Sequence, residues 1–308
     1  MSQSRIFVNL SWIISFLLVV QSVSSQRNAA TAQETGAAFT VITEPNAIVW
    51  IDDVRRGAAD ASGKLTLTGG IRGRHMLRVR AAGYKEQSLP LLAARHDIVV
   101  KLVRTTDEAE LAFQQAEAAR EQAKDDDSRK KAVELYRSAL KLRRIFPAAH
   151  VGLARVLLDL NEYQQALAEI EAARRGRPVY PEASAVEGRI QRETAFTEEA
   201  IRSFRRAIAE AHGFQPEAHV GLARVHEEKG QYVEAIAEYR KAIDQLYDSE
   251  PVIYQLLGAA CERIQNYKEA LAAYEKYLQL APNGNLAPAV RSIIEQVKRD
   301  AAGQEIVP

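Results

Sequence analysis

Cysteine is nearly absent from this chain of 308 residues: Cys261 stands alone, so no internal disulfide can form. Stability has to come from packing, which a chain of this length supports. Neither sign of charge dominates, with 41 Lys and Arg against 40 Asp and Glu. A domain that grips nucleic acid is strongly basic, so this balance gives no reason to expect nucleic acid as a partner. The marks of catalysis are missing as well. There is no Ser-His-Asp order, no phosphate-binding glycine loop and no nucleophile elbow. The six histidines, His75, His96, His150, His212, His219 and His226, are scattered. Only His219 and His226 could share a helical face, and no zinc spacing results. Asp52 and Asp53 form a lone carboxylate pair in a turn, short of the six to eight oxygens calcium takes. The expectation is a protein without catalysis, cofactor or metal. Cys261 reads as a small buried apolar residue.

What is present begins at the N-terminus. Arg5 precedes an apolar run from Ile6 to Val20, broken by Asn9, Ser11 and Ser15, and small residues follow to Ser25. A charged start, an apolar core and a small-residue exit describe a secretory signal over residues 1–25. The alternative is a retained membrane anchor, for which the run falls short of roughly 18–20 residues unless the helix extends to Val23. Export to the periplasm or cell envelope is expected, or secretion, with membrane anchoring only if the segment is kept. With no Cys near Ser25, a bacterial lipid-anchored form is not expected. Loss of residues 1–25 removes Arg5 and no acid, leaving 40 charges of each sign. Residues 26–37 are small and polar and read as a flexible leader.

Residues 38–104 show a period of two. Phe39 and Val41, Ile48 and Trp50, Leu65 and Leu67, and Met76 to Val79 are separated by turn residues such as Pro45-Asn46, Arg56-Gly57 and Gly69-Gly70. Ile98 to Leu102 closes the series. Five to six short strands with turns every 8–12 residues read as a small all-β, immunoglobulin-like sandwich. Pro45, Ala47 to Asp52, Gly57, Gly73 to Val79 and Gly83-Tyr84 together resemble the PEGA domain of bacterial envelope proteins. The run from Asp60 to Gly63 through Gly83-Tyr84 is equally similar to carboxypeptidase regulatory-like modules. Asp52-Asp53-Val54 departs from the Asp-Gly usual in PEGA domains. Both resemblances imply an accessory module without catalysis.

From residue 105 the period changes to about 34. Ala132, Ala166, Ala200, Ala235 and Ala270 recur at intervals of 34, 34, 35 and 35. Tyr136, Ile170, Phe204, Tyr239 and Tyr274 stand four residues after each, and Ala139, Ala173, Ala207, Ala242 and Tyr277 three further on. Ala154, Gly188, Ala223 and Gly258 precede the second to fifth alanines by twelve. Small residues let paired helices approach, the bulky residue fills the hole they leave, and single hairpins stack because none can bury both faces alone. Five in-phase units over about residues 106–282 resemble tetratricopeptide repeats, which implies an all-α superhelical solenoid. Domain limits are expected at 105–284 for five hairpins and 285–308 for a capping helix and tail. In the latter, Val290, Ile293, Ile294 and Val297 share one face. In the first unit, Lys124 to Ser128 is expected to lengthen the internal loop. Pro147, Pro216 and Pro251 are expected to mark slightly lengthened turns.

The resemblance places the first helix of each unit on a concave groove that takes proteins or extended peptides. Arg155, Arg189 and Arg224 fall there at intervals of 34 and 35. One reading is a ladder gripping carboxylates of a peptide, because guanidinium pairs carboxylate bidentately. The other is pairing within each helix, to Asp159, Glu193 and Glu228 four residues on. The asparagines of the chaperone-tail carboxylate clamp are missing, with Gly152, Val186 and Gly221 at one of its two levels. Arg174, Arg175, Arg177, Arg202, Arg205 and Arg206 read as a solvated basic face. The overall expectation is a non-catalytic exported scaffold. The alternative is a cell-surface or wall-polymer binder using the β-domain, with the repeats as spacer and Trp50 as its aromatic platform.

Overall fold

In the computed structural model, residues 38–52, 54–67, 74–92, 97–246 and 248–304 are described; the expected signal segment and leader lie outside them. Seven strands come first: β1 (Phe39–Ile42), β2 (Ile48–Ile51), β3 (Val54–Ala58), β4 (Lys64–Leu67), β5 (Arg74–Arg80), β6 (Gln87–Leu92) and β7 (Ile98–Val99). They form two sheets, ordered β4-β1-β7 and β3-β2-β5-β6. Pairing is antiparallel except for β1 with β7. Phe39, Val41, Val49, Ile51, Leu77 and Val79 fill the space between the sheets. The all-β first domain is therefore as expected, with one more strand. Pro90 obscures β6 in the sequence; it is tolerated because β6 is an edge strand, where a missing ladder donor costs little.

The alternation in β2 is the reverse of the expected one. Val49 and Ile51 enter the sandwich core, while Trp50 lies on the opposite sheet face. Both faces of β2 are apolar because both are covered, so alternation alone could not orient it.

Eleven helices follow among the described residues, making five antiparallel pairs and one closing helix. The pairs are α1 (Glu108–Gln122) with α2 (Asp126–Leu142), α3 (Pro147–Asp159) with α4 (Tyr163–Gly176), and α5 (Pro181–Glu193) with α6 (Thr197–Glu210). Then come α7 (Pro216–Glu228) with α8 (Tyr232–Leu246) and α9 (Val252–Arg263) with α10 (Tyr267–Leu280). The closing helix is α11 (Ala287–Gln304), which seats Val290, Ile294 and Val297 against the last pair. No helix among the described residues is long and apolar enough to cross a membrane.

The small-and-aromatic spacing becomes tight packing. Tyr136, Phe204, Tyr239 and Tyr274 are all but fully buried. A Cβ on Gly221 would lie 2.3 Å from the Phe204 ring, one on Gly188 2.7 Å from the same ring, and one on Gly152 2.5 Å from Tyr136. Each ring is thus held between first helices of successive units, and Gly152 and Gly221 are as necessary to this as the positions the repeat alignment singles out.

Two expectations about connections are corrected. Asp126 to Ser128 do not lengthen a loop; they form the first turn of α2, where Asp125 and Ser128 make a reciprocal capping box. Pro147 and Pro216, like Pro181, occupy the first turn of a new first helix, and Pro251 stands at the N-cap of α9, so they start helices; the expected slight lengthening holds before α7 and α9, by one residue each, and not before α3. Asp107 caps α1, accepting from the amides of Ala109 and Glu110.

Candidate protein-binding groove

The first helices, α1, α3, α5, α7 and α9, line the concave side of the array, and the β3-β2-β5-β6 sheet is seated against it. Its period of two explains how. Leu77 and Val79 of β5 point into the sandwich, so Arg78 and Arg80 emerge on the other face beside Trp50. The Arg78 and Arg80 guanidinium carbons stand 4.6 and 5.1 Å from the Trp50 ring centroid, and Arg80 also stacks on Phe113 of α1 at 4.7 Å. Arg80 is only 8% exposed, and it survives burial through Glu86 at 2.7 Å and Glu117 of α1 at 3.5 Å.

Further contacts run from one end of the arc to the other. Arg55 reaches Glu121 of α1 and Arg78 reaches Glu182 of α5, each at 3.5 Å. Gly83 donates its amide to Gln114 of α1 at 2.9 Å, and the Gln114 amide returns a bond to the Tyr84 carbonyl at 2.8 Å. Arg56 donates to the carbonyls of Gln245 and Leu246 at 3.0 and 3.2 Å, a cation at the negative end of α8. His75 meets Phe214 edge-on, and Val54 packs on the apolar cluster of the last units. Between sheet and helices remains a cavity of about 640 Å³, with Trp50, Phe113, Gly152, Arg155, Glu217 and Val220 among its lining.

The structure brings two of the three ladder arginines together. Arg155 on α3 donates both Nη atoms to Glu217 on α7, at 2.9 and 2.7 Å. Arg189 on α5 reaches the same carboxylate at 3.6 Å and Asp159 at 3.7 Å. Arg224 is apart, paired to Glu227 at 3.1 Å. Glu193 and Glu228 both go to Arg192 and not to the arginine one turn before each. Arg155 and Arg189 form neither the open ladder nor pairs within their own helices, whereas Arg224 does pair within its helix, to Glu227 and not to Glu228. Superhelical curvature contracts the inner face, so side chains two units apart meet there. Burial alone would raise the Glu217 carboxyl and lower the Arg155 guanidinium; their mutual attraction, with Arg189 added on the acid, prevails, and both stay charged over a wider pH range than usual. Glu117 is likewise held below the usual carboxylate range, because Arg120, Arg80 and the Tyr136 hydroxyl outweigh its burial.

The expected solvated basic face is only partly that. Arg174 pairs with Glu210 at 3.2 Å and with Glu187 at 3.6 Å, and Arg206 bonds Ser184 at 3.2 Å, tying α4, α5 and α6 together. Arg202 keeps to Glu199 on its own helix. Among the described residues no group of three His, Cys, Asp or Glu is placed to hold a metal. Asp52 is bonded to His75 and to the Met76 amide instead of lying free in its turn. Cys261 is fully buried, and that burial pushes its thiol up to about 12.

Sequence reasoning missed Arg55, Arg78, Arg80, Glu182 and Glu217. A signal existed for several. Arg78 and Arg80 alternate with core residues in a strand, and the triplet Pro-Glu-Ala recurs at 181–183 and 216–218, putting a carboxylate at one level of successive first helices.

A helical-repeat solenoid with a charged concave face defines the class. The tetratricopeptide repeat family matches residues 123–190 and 214–283, so the helical region carries tetratricopeptide repeats. Such arrays are in general scaffolds for protein–protein contact and not catalysts. The same fold occurs in a thermophilic TPR protein of Thermus thermophilus, at 20% identity and TM-score 0.51, covering 61% of this chain and 98% of that one. It occurs also in PilF of Pseudomonas aeruginosa, at 18% identity and TM-score 0.53, covering 64% of this chain and 89% of that one. No curated protein sequence matches this chain.

Proposed function

We propose that this protein is an exported scaffold that captures protein partners on the concave face of its repeat array, in bacterial envelope assembly. The carrying observation is the built inner face: five first helices line it, Arg155 and Arg189 of adjacent units share the Glu217 carboxylate, and a cavity of about 640 Å³ stays open. Cavities of that size with a few placed polar groups are the usual form of a recognition site. The apolar segment after Arg5 and the PEGA-like pattern of the first domain support the envelope setting. Wall-polymer binding through Trp50 has less support, because the indole is 8% exposed and Arg78 and Arg80 lie over it.

Affinity capture from an envelope extract tests the groove, with the mature chain and its Val220→Arg variant as baits. Val220 lines the cavity and is only partly buried, so the long arginine stem can cover the apolar cluster beside it while its head fills the cavity. Proteins retained by the mature chain are expected to be lost with the variant while thermal unfolding stays within a few degrees. Equal retention by both baits refutes the groove reading. Fractionation of cells expressing the full chain tests export: a cytoplasmic, full-length product refutes it.

A further inference from the structure

The cavity has two unlike walls. The helices supply five carboxylates against four guanidiniums; the sheet supplies Arg55, Arg78 and Arg80 and no carboxylate. On the helical wall the arginines already hold acids of their own. Arg155 and Arg189 close on Glu217, Arg120 on Glu117, and Arg192 on Glu193 and Glu228. The wall as a whole is therefore negative, with Glu121, Glu182 and Glu250 among its carboxylates. The sheet answers it: Arg55 stands at Glu121, Arg78 at Glu182, and Arg80 doubles the cation at Glu117. Burial pushes the Glu250 carboxyl up, and Arg55 opposes that.

We infer that the concave face is an arginine-receiving surface, that the first domain is its resident occupant, and that the partner it fits is a protein presenting an arginine-rich segment, which takes the face by displacing the sheet. The inference rests on the groove reading above and names the partner's chemistry, opposite in sign to the acidic peptide that an open arginine ladder implies. Two observations beyond charge support it. The sheet's ion pairs to the helices all stand at about 3.5 Å, long for charge-assisted bonds, and Arg55–Glu121 is exposed enough to contribute little and exchange readily, while Arg78 and Arg80 are held more deeply. Arg80 also stacks on Phe113 of α1, which stays on the concave face when the sheet leaves, and that contact uses the planar guanidinium, so lysine is a poorer substitute.

The test uses the full chain with Trp12→Phe, leaving Trp50 as the sole indole. Nona-arginine, nona-lysine and nona-glutamate are titrated while Trp50 emission and acrylamide quenching are followed. Nona-arginine is expected to red-shift and expose Trp50, with nona-lysine weaker and nona-glutamate without effect. Removing the resident arginines (Arg55→Ala with Arg78→Ala) should tighten nona-arginine binding by about three- to tenfold, the loss of one or two weak ion pairs. Neutralising their acceptors (Glu121→Gln with Glu182→Gln) should weaken it similarly, and Arg202→Ala, on an outer helix, should leave it unchanged. Exposure of Trp50 by nona-glutamate, or by none of the peptides, overturns the inference, as does an equal effect of Arg202→Ala. If capture of native partners survives any of these results, the groove reading stands and only the partner's charge, or the displacement of the sheet, is wrong.

Discussion

Arg155, on the inner side of a first helix, and Arg202, on the outer rim of a second helix, obey different rules, although both belong to series that the sequence spaces with the same period. On the inner side, Arg155 of α3 finds its acid on α7, 62 residues on and two units away. On the outer side, Arg202 pairs with Glu199 one turn before it, and Arg137 with Glu134. The difference is one of curvature: a superhelix crowds its concave side and spreads its convex side. The Arg155–Glu217 pair is therefore largely desolvated and long-range, and pairs at the outer rim such as Arg202–Glu199 remain local and hydrated; Arg174, wedged between α4, α5 and α6, reaches across units as Arg155 does.

Breaking the inner network should have the largest effect. Glu217→Ala leaves Arg155 without its bidentate partner. The two side chains keep 22% and 29% of their surface, so the loss should fall at the lower end for a broken buried pair, about 3 kcal/mol, read from urea denaturation midpoints. A loss below about 1 kcal/mol equates the inner pair with a surface pair and removes the contrast. Next comes the packing between inner helices. Gly221→Ala drives a methyl toward the Phe204 ring and should cost about 1–3 kcal/mol, whereas Gly230→Ala, with open space around its Cβ position but φ +72°, should cost about 1 kcal/mol.

A pH-dependent comparison lies between two equivalent positions. His150 bonds Glu169, and His219 bonds Glu238 two units later; Ser184 and Ser203 replace both partners in the unit between. Burial would lower the His150 pKa, but the Glu169 carboxylate and the Arg144 carbonyl raise it above the usual value. Protonated imidazolium is therefore favoured in the folded chain. The stabilisation is complete below the ordinary pKa near 6.5 and disappears as pH rises through the raised folded value. Unfolding midpoints measured from pH 5 to 9 should fall across that window, and Glu169→Gln should flatten the fall. A steeper fall in the variant contradicts the assignment. The smallest effect is expected outside: Arg202→Ala should change stability by no more than about 0.5 kcal/mol in thermal melts, the ordinary worth of an exposed pair.

Much of the fold was legible in one dimension. The alanine and aromatic recurrence identified five hairpins because each depends on contacts within about 34 residues, and the buried face of α11 was readable from Val290, Ile294 and Val297. The candidate site was less legible. Arg155 and Arg189 were recognisable as groove residues, yet Glu217 was not, since nothing local links it to Arg155. The orientation of Trp50 was open in the sequence for a related reason. Alternation shows that a strand has two faces, and it cannot say which face is core when a second domain covers the other.

The sequence by itself determined the repeat architecture and the small β-domain, because these follow from short-range periodicity and turn chemistry. Only the tertiary structure decided that the sheet's arginines occupy the concave face and that inner charges pair across two units. Those outcomes depend on how each unit rotates against the next. That rotation is the summed result of packing at every interface, and no single stretch of chain encodes it.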